Sequence, residues 1–166
     1  MRSEKREVVL NEHDHHMGTA LLAAQRSRDP ACQVGACIVN AKGNIVSVGF
    51  NSFPNGCSDD EFPWGKTSIN PLETKFFYVC HAEMNAIMGR TCRDLKGCTI
   101  YVTRFPCNEC AKLIIQSEIG KVWYLTEYDD DETTAAKRMF DAANVSYKQY
   151  TSNQSKIEIH LSNGIN

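Results

Sequence analysis

The chain has 166 residues, 42% of them hydrophobic and 23% charged, with a formal net charge of −2, which fits one globular domain over 1–166 with its own core. The balanced charge argues against a long nucleic acid as partner and leaves room only for a local basic pocket around a small phosphate. No apolar run approaches the roughly 20 residues that span a bilayer, "MRSEKREVV" is not a secretory leader, and most of the eight cysteines lie in apolar runs or a C-x-x-C, so the chain reads as reduced, cytoplasmic and free of the membrane rather than as a disulfide framework.

In chain order, residues 1–12 read as a loose arm. "MGTALLAAQRS" then predicts a helix with Met17, Leu21, Leu22 and Ala24 along its apolar stripe, stopped by "RDP" at Pro30. "QVGACIVN" and "NIVSVGFN" predict two strands around the turn residues Lys42, Gly43 and Asn44. Residues 52–74 are rich in Pro, Gly, Asn, Ser and Asp, and a loop of that length in a compact domain is usually functional. A helix is expected from His81, with Met84, Ile87 and Met88 on its buried side. "CTIYVTR" is a strand, Cys107 to Ser117 a helix behind Pro106, "KVWYLTE" a strand, "DETTAAKRMFDAA" a helix with an acidic start, and "VSYKQY" a strand. "KIEIHL" at 156–161 alternates like a last edge strand. Strands alternating with helices after an opening hairpin predict an α/β sandwich on a mixed sheet.

Two short stretches carry chemistry: "YVCHAEMNAIMG", and "RFPCNECAKLI" beyond it. Zinc takes nitrogen and thiolate ligands tetrahedrally, and a catalytic site keeps one position for water. His81, Cys107 and Cys110 supply three ligands, and both segments open helices, whose positive ends favour thiolates. Glu83, two residues past His81, stands where a general acid/base would. The alternatives are a redox C-x-x-C, which usually follows the first strand of its unit; a structural site with Cys80 or Cys57 as fourth ligand; and a core histidine. H-A-E followed by P-C-x-x-C favours a zinc-dependent nucleobase deaminase. There zinc would lower the pKa of a water that attacks C4 of cytosine, while Glu83 relays its proton to N3 and then to departing ammonia.

The stretches "AQRSRDP", "QVGACIVN", "PNGCSDD", "YVCHAEMNAIM", "KGCTIYV", "FPCNECAKLIIQ" and "DETTAA" resemble the cytidine and deoxycytidylate deaminase family. The resemblance implies a cytidine-deaminase-like three-layer sandwich, a five-stranded mixed sheet with helices on both faces, often as a homohexamer. It implies deamination of dCMP to dUMP for thymidylate synthesis, activation by dCTP with Mg2+, and inhibition by dTTP. By position it makes His81, Cys107 and Cys110 zinc ligands and Glu83 catalytic. Asn51 of "GFN" is a candidate for the sugar and base, or a strand-end turn residue. Arg26 and Ser27 are candidates for the 5′-phosphate, or a plain helix end. Tyr128 either closes the phosphate end or is a loop tyrosine. "FPNGCSDD" is the candidate effector loop, with Asn55 and Gly56 turning and Asp59 or Asp60 assisting a metal, or it is a shaped surface loop.

Two departures stand out. "NEHDHHM" replaces aromatic residues usual in relatives, so His13, Asp14, His15 and His16 are either a weak metal site or exposed polar residues of a first helical turn. Phe50 stands where tyrosine is usual. Two other functions compete: a deaminase of RNA or single-stranded DNA, which would want a basic groove and aromatic platforms and is opposed by "DDDE" at 129–132, and a non-catalytic zinc protein, which has no need of Glu83.

Overall fold

A computed structural model of the chain describes residues 5–152, 154 and 156–159. Five stretches extend into β1 (Gly35–Val39), β2 (Ile45–Phe50), β3 (Thr99–Arg104), β4 (Lys121–Thr126) and β5 (Ser146–Gln149). They form one sheet of order β2-β1-β3-β4-β5. β1 pairs antiparallel with β2 and β3, whereas β3–β4 and β4–β5 are parallel. Parallel neighbours need a long crossover, here made by α3 (Asn108–Gln116) and α4 (Asp131–Ala143). The remaining α-helices among the described residues are α1 (Glu12–Ala24) and α2 (Ala82–Met88).

Side chains alternate across the sheet with the strand period of two. Ala36, Ile38, Ile100, Val102, Val122 and Tyr124 bury against residues of α2, α3 and α4 such as Ala86, Ile114 and Phe140. The opposite face puts Cys37, Val39 and Tyr101 against Met17 and Ala20 of α1. The expected mixed sheet with helices on both faces is the one observed. Two glycines set how closely helix meets strand: a Cβ on Gly35 would stand 1.9 Å from the Ala20 carbonyl oxygen, and one on Gly49 would stand 2.4 Å from the Ala86 nitrogen.

That close approach corrects the helix faces. α1 buries Met17, Ala20, Ala23 and Ala24, while Leu21 and Leu22 are exposed, because a backbone resting on Gly35 leaves room for alanine and not leucine. On α2 the buried side is Ala82, Glu83, Ala86 and Ile87; Met84 is half-buried and Met88 points outward at 74% exposure. α1 also starts earlier than expected, at Glu12, because the Asn11 side chain accepts the Asp14 amide as an N-cap. It ends at Ala24, well ahead of Pro30.

The first turn of α1 is neither uniformly exposed nor a ligand cluster. Asp14 and His16 are buried, Asp14 accepts from the Tyr150 hydroxyl, and His13 Nδ1 lies 2.8 Å from the Tyr101 hydroxyl. Among the described residues, no three metal-ligating atoms gather there. Within the expected last strand, residues 156–159 carry no strand and residues 160 and 161 lie outside the described residues. No helix among the described residues is long and apolar enough to cross a membrane.

Candidate active site

α2 and α3 begin at the same end of the fold. His81 is the N-cap of α2 and Cys107 the N-cap of α3, each extended, so each side chain leaves its helix ahead of the first turn. Cys110 lies three residues on, in the first turn of α3. The entry of α2 is held by reciprocal amide–carbonyl bonds between Ser52 and Cys80 at 3.1 and 2.9 Å, and by Asn85 Nδ2 donating to the Phe50 carbonyl at 2.8 Å. The entry of α3 is held by the Phe105 amide donating to the Thr126 carbonyl at 2.7 Å.

His81 Nδ1 lies 3.4 Å from the sulfurs of both Cys107 and Cys110, and the three ligand atoms all fall within 4.8 Å of one another. Tetrahedral zinc with Zn–N near 2.0 Å and Zn–S near 2.3 Å would separate nitrogen from sulfur by about 3.5 Å, so the donor set matches such an ion in both chemistry and spacing. Cys80 and Cys57 are not in this group, and all eight cysteines are free thiols.

The electrostatics divide the two sulfurs. The hydrogen bond from Cys110, opposed by burial and helped by His81, holds Cys107 down to about 4. The same bond, with burial, pushes Cys110 up, and the Cys107 contact raises His81. Metal ligation requires deprotonated cysteine and neutral histidine, and the lowered pKa of Cys107 favours one such thiolate. Glu83 is 4% exposed, and burial, partly offset by His81, raises its pKa. A carboxyl held above its ordinary range is suited to giving and taking protons near neutrality.

The other expected site residues lie near this end but are engaged differently. Asn51 is buried, and its side chain spends three hydrogen bonds on the protein: Oδ1 accepts the Val34 amide at 2.8 Å, and Nδ2 donates to the Cys32 carbonyl at 3.0 Å and to Asp29 Oδ2 at 3.3 Å. Ser27 Oγ donates to the Asn51 carbonyl at 2.9 Å and accepts the Asp29 amide at 3.2 Å. Arg26 is exposed, its guanidinium carbon 5.3 Å from the centre of the Phe50 ring. Tyr128 is exposed beneath Arg104, whose guanidinium carbon sits 3.7 Å from the ring centre. In the long loop, Gly56 takes a left-handed φ of 88°, Asp59 pairs with Arg28 at 3.4 Å, and Asn55 and Asp60 are exposed. An aromatic group of Phe53, Phe62, Trp64 and Tyr78 organises the interior of that loop.

Three polar residues went unremarked in the sequence. Asp29 and Lys75 form an ion pair, both nearly fully buried, that ties the α1–β1 turn to the end of the long loop. Burial opposes ionisation of Asp29, but Lys75 and the amides of Ala31 and Cys32 outweigh it and carry its pKa below the usual carboxylate range. The third is Arg104, whose sequence signal was a cation three residues ahead of Cys107. A surface cleft of about 370 Å3 between the β1–β2 turn and residues 92–98 shares no residue with the His81 cluster.

The family model described as the cytidine and deoxycytidylate deaminase zinc-binding region matches residues 10–126. The chain is 52% identical over 158 residues to the deoxycytidylate deaminase of Pongo abelii, covering 94% of this chain and 89% of that one. It is 49% identical over 164 residues to a probable deoxycytidylate deaminase of Drosophila melanogaster, covering 95% and 81%. Its fold is similar to that of the dCMP deaminase of cyanophage S-TIM5, solved in complex with dCMP and dUMP, at a TM-score of 0.65 and 28% identity over 83% of this chain and 96% of that one.

Proposed function

The chain belongs to the cytidine and deoxycytidylate deaminase family, and from that premise we propose that it hydrolyses dCMP to dUMP and ammonia. The observation that carries the reading is one imidazole and two cysteine sulfurs at zinc-ligand spacing in a chain with a buried carboxyl two residues from that imidazole. His81, Cys107 and Cys110 are the proposed zinc ligands. What zinc supplies when bound is Lewis acidity, which makes a water nucleophilic at neutral pH.

Glu83 accepts a proton from the attacking water as the C4–O bond forms and delivers it to ring N3. It then carries a second proton to the exocyclic nitrogen as the C4–N bond breaks, so one water is consumed and one ammonia leaves. Asn51 and Ser27 act here mainly by holding the turn 27–34 in place beside the substrate, with Arg26 and Tyr128 at the phosphate end. The product would feed thymidylate synthesis in the cytoplasm.

Regulation belongs to the same proposal. A homohexamer activated by dCTP with Mg2+ and inhibited by dTTP would read its effector at Asn55, Gly56, Asp59 and Asp60. Support comes from the Asp59–Arg28 pair, which links that loop to the turn carrying Asp29. An effector acts only by favouring one of two states, so the dCMP rate curve should be sigmoidal alone and hyperbolic with dCTP. Ammonia release from dCMP, CMP, deoxycytidine and cytosine-containing oligonucleotides tests the whole reading. Preference for dCMP is expected, and preference for an oligonucleotide would overturn it.

A further inference from the structure

We propose that Arg104 determines specificity for a nucleotide over a nucleoside by binding the 5′-phosphate through the open edge of its guanidinium. The inference rests on the deaminase reading above and adds a residue to it. Arg104 ends β3, three residues before Cys107, so its Cα lies within about 11 Å of that of Cys107 along the chain, the scale of one nucleotide.

Its guanidinium meets two other segments of the fold. One face stacks on Tyr128 at 3.7 Å, and Nη1 donates to Cys32 Sγ at 3.5 Å. Cys32 in turn gives its carbonyl to Asn51 Nδ2 at 3.0 Å, and Asn51 immediately precedes Ser52, which pairs with Cys80 beside His81. Arg104 therefore stands on the rim formed by the α1–β1 turn, the β4–α4 loop and the start of α3.

Several cations nearby are already neutralised, and Arg104 is not. Lys75 is paired with Asp29, Arg28 with Asp59 and Lys137 with Glu127, whereas no carboxylate forms an ion pair with Arg104 among the described residues. Asp130 acts on Arg104 only at a distance, and its carboxylate accepts the Thr133 amide at 2.8 Å as the cap of α4. A guanidinium carries five N–H donors in a planar fork. Among the described residues only the bond to Cys32 uses one, and stacking on Tyr128 fixes the plane without consuming any. A half-buried, oriented and unpaired fork matches a phosphate monoester.

The test compares steady-state deamination of dCMP and deoxycytidine by the wild-type protein, Arg104→Met and Arg104→Lys. The ratio of kcat/KM for dCMP to that for deoxycytidine should fall roughly 10- to 100-fold in Arg104→Met, the scale of a charge-assisted hydrogen bond, through KM more than kcat. Arg104→Lys keeps charge but loses fork and stack, and should fall between the two. Wild-type KM for dCMP should rise with salt, and Arg104→Met should flatten that slope. Equal losses on both substrates with a lower Tm, or an unchanged ratio in a wild-type-like fold, would show that Arg104 only fastens the loop. Should Arg104→Met fail to fold, Arg104→Lys and the salt dependence decide by the same ratio. If wild-type protein released no ammonia from dCMP, the deaminase reading and this assignment would both fall.

Discussion

Two polar clusters meet at the same end of the sheet and are built in opposite ways. The His81–Cys107–Cys110 group hangs on the starts of two helices, so each side chain's direction is set by a local backbone rule. The Asp29–Lys75–Asn51 group draws on a turn, the residue that follows β2 and the start of a short 3-10 helix, Lys75–Phe77, and it persists because two opposite charges are buried together. On the proposed function the first cluster carries reactivity, and the second holds the shape of the surrounding turns. Damage to the first should therefore abolish turnover in a folded protein, and damage to the second should cost stability before chemistry.

The largest effect is expected at the ligands. Cys107→Ala or Cys110→Ala should lose zinc, measured by metal analysis, and more activity than the roughly 100-fold that loss of an outer partner costs. Retained activity in metal-free protein would break the distinction. Glu83→Gln comes next: zinc content and Tm stay near wild type while kcat falls about 10²–10⁴-fold. A near-normal rate would mean that the proton carrier lies elsewhere.

At the other cluster, Lys75→Met strands a buried carboxylate and should cost about 3–5 kcal/mol in urea unfolding. The double variant Asp29→Asn/Lys75→Met should cost less than the two single changes added together. The pH dependence has a definite sign. Asp29 has a native pKa below its unfolded value, so its contribution is full above the unfolded pKa and is lost as pH falls through the native one. The wild-type protein should lose stability across that acidic window, and Lys75→Met should show a flatter slope there.

A smaller effect joins the two regions. In Gly49→Ala the new methyl would stand 2.4 Å from backbone atoms of both Ala82 and Ala86, so α2 must shift, at a cost of about 1–3 kcal/mol. Because His81 caps that helix, zinc affinity should weaken along with stability. Unchanged metal binding at lower Tm would show that the ligand end of α2 is insulated from its packing.

Element types were legible because they depend on neighbours in the chain. Strand alternation, the acidic start of α4 and the position of Cys107 behind Pro106 are all short-range facts, and α4 occupies the expected Asp131–Ala143. The pairing of His81 with Glu83 and of Cys107 with Cys110 was legible for the same reason, since each pair lies within one helical turn. Which faces are buried was another matter. Leu22 and Met88 are large and apolar yet exposed, because the helix faces turned inward are those whose alanines, Ala20 and Ala24 or Ala82 and Ala86, rest directly on Gly35 and Gly49.

The residue order by itself thus determined the alternation of strands and helices and the proposed His–Cys–Cys donor set with its adjacent carboxyl, since periodicity and helix starts are local properties. Tertiary structure alone decided that Asp29 meets Lys75, that Asp14 and His16 are buried, and that Arg104 lies over Tyr128 and reaches Cys32. These partners are far apart in the chain, and a charge finds its counterion, or fails to, only once the sheet has closed and water has been excluded around it.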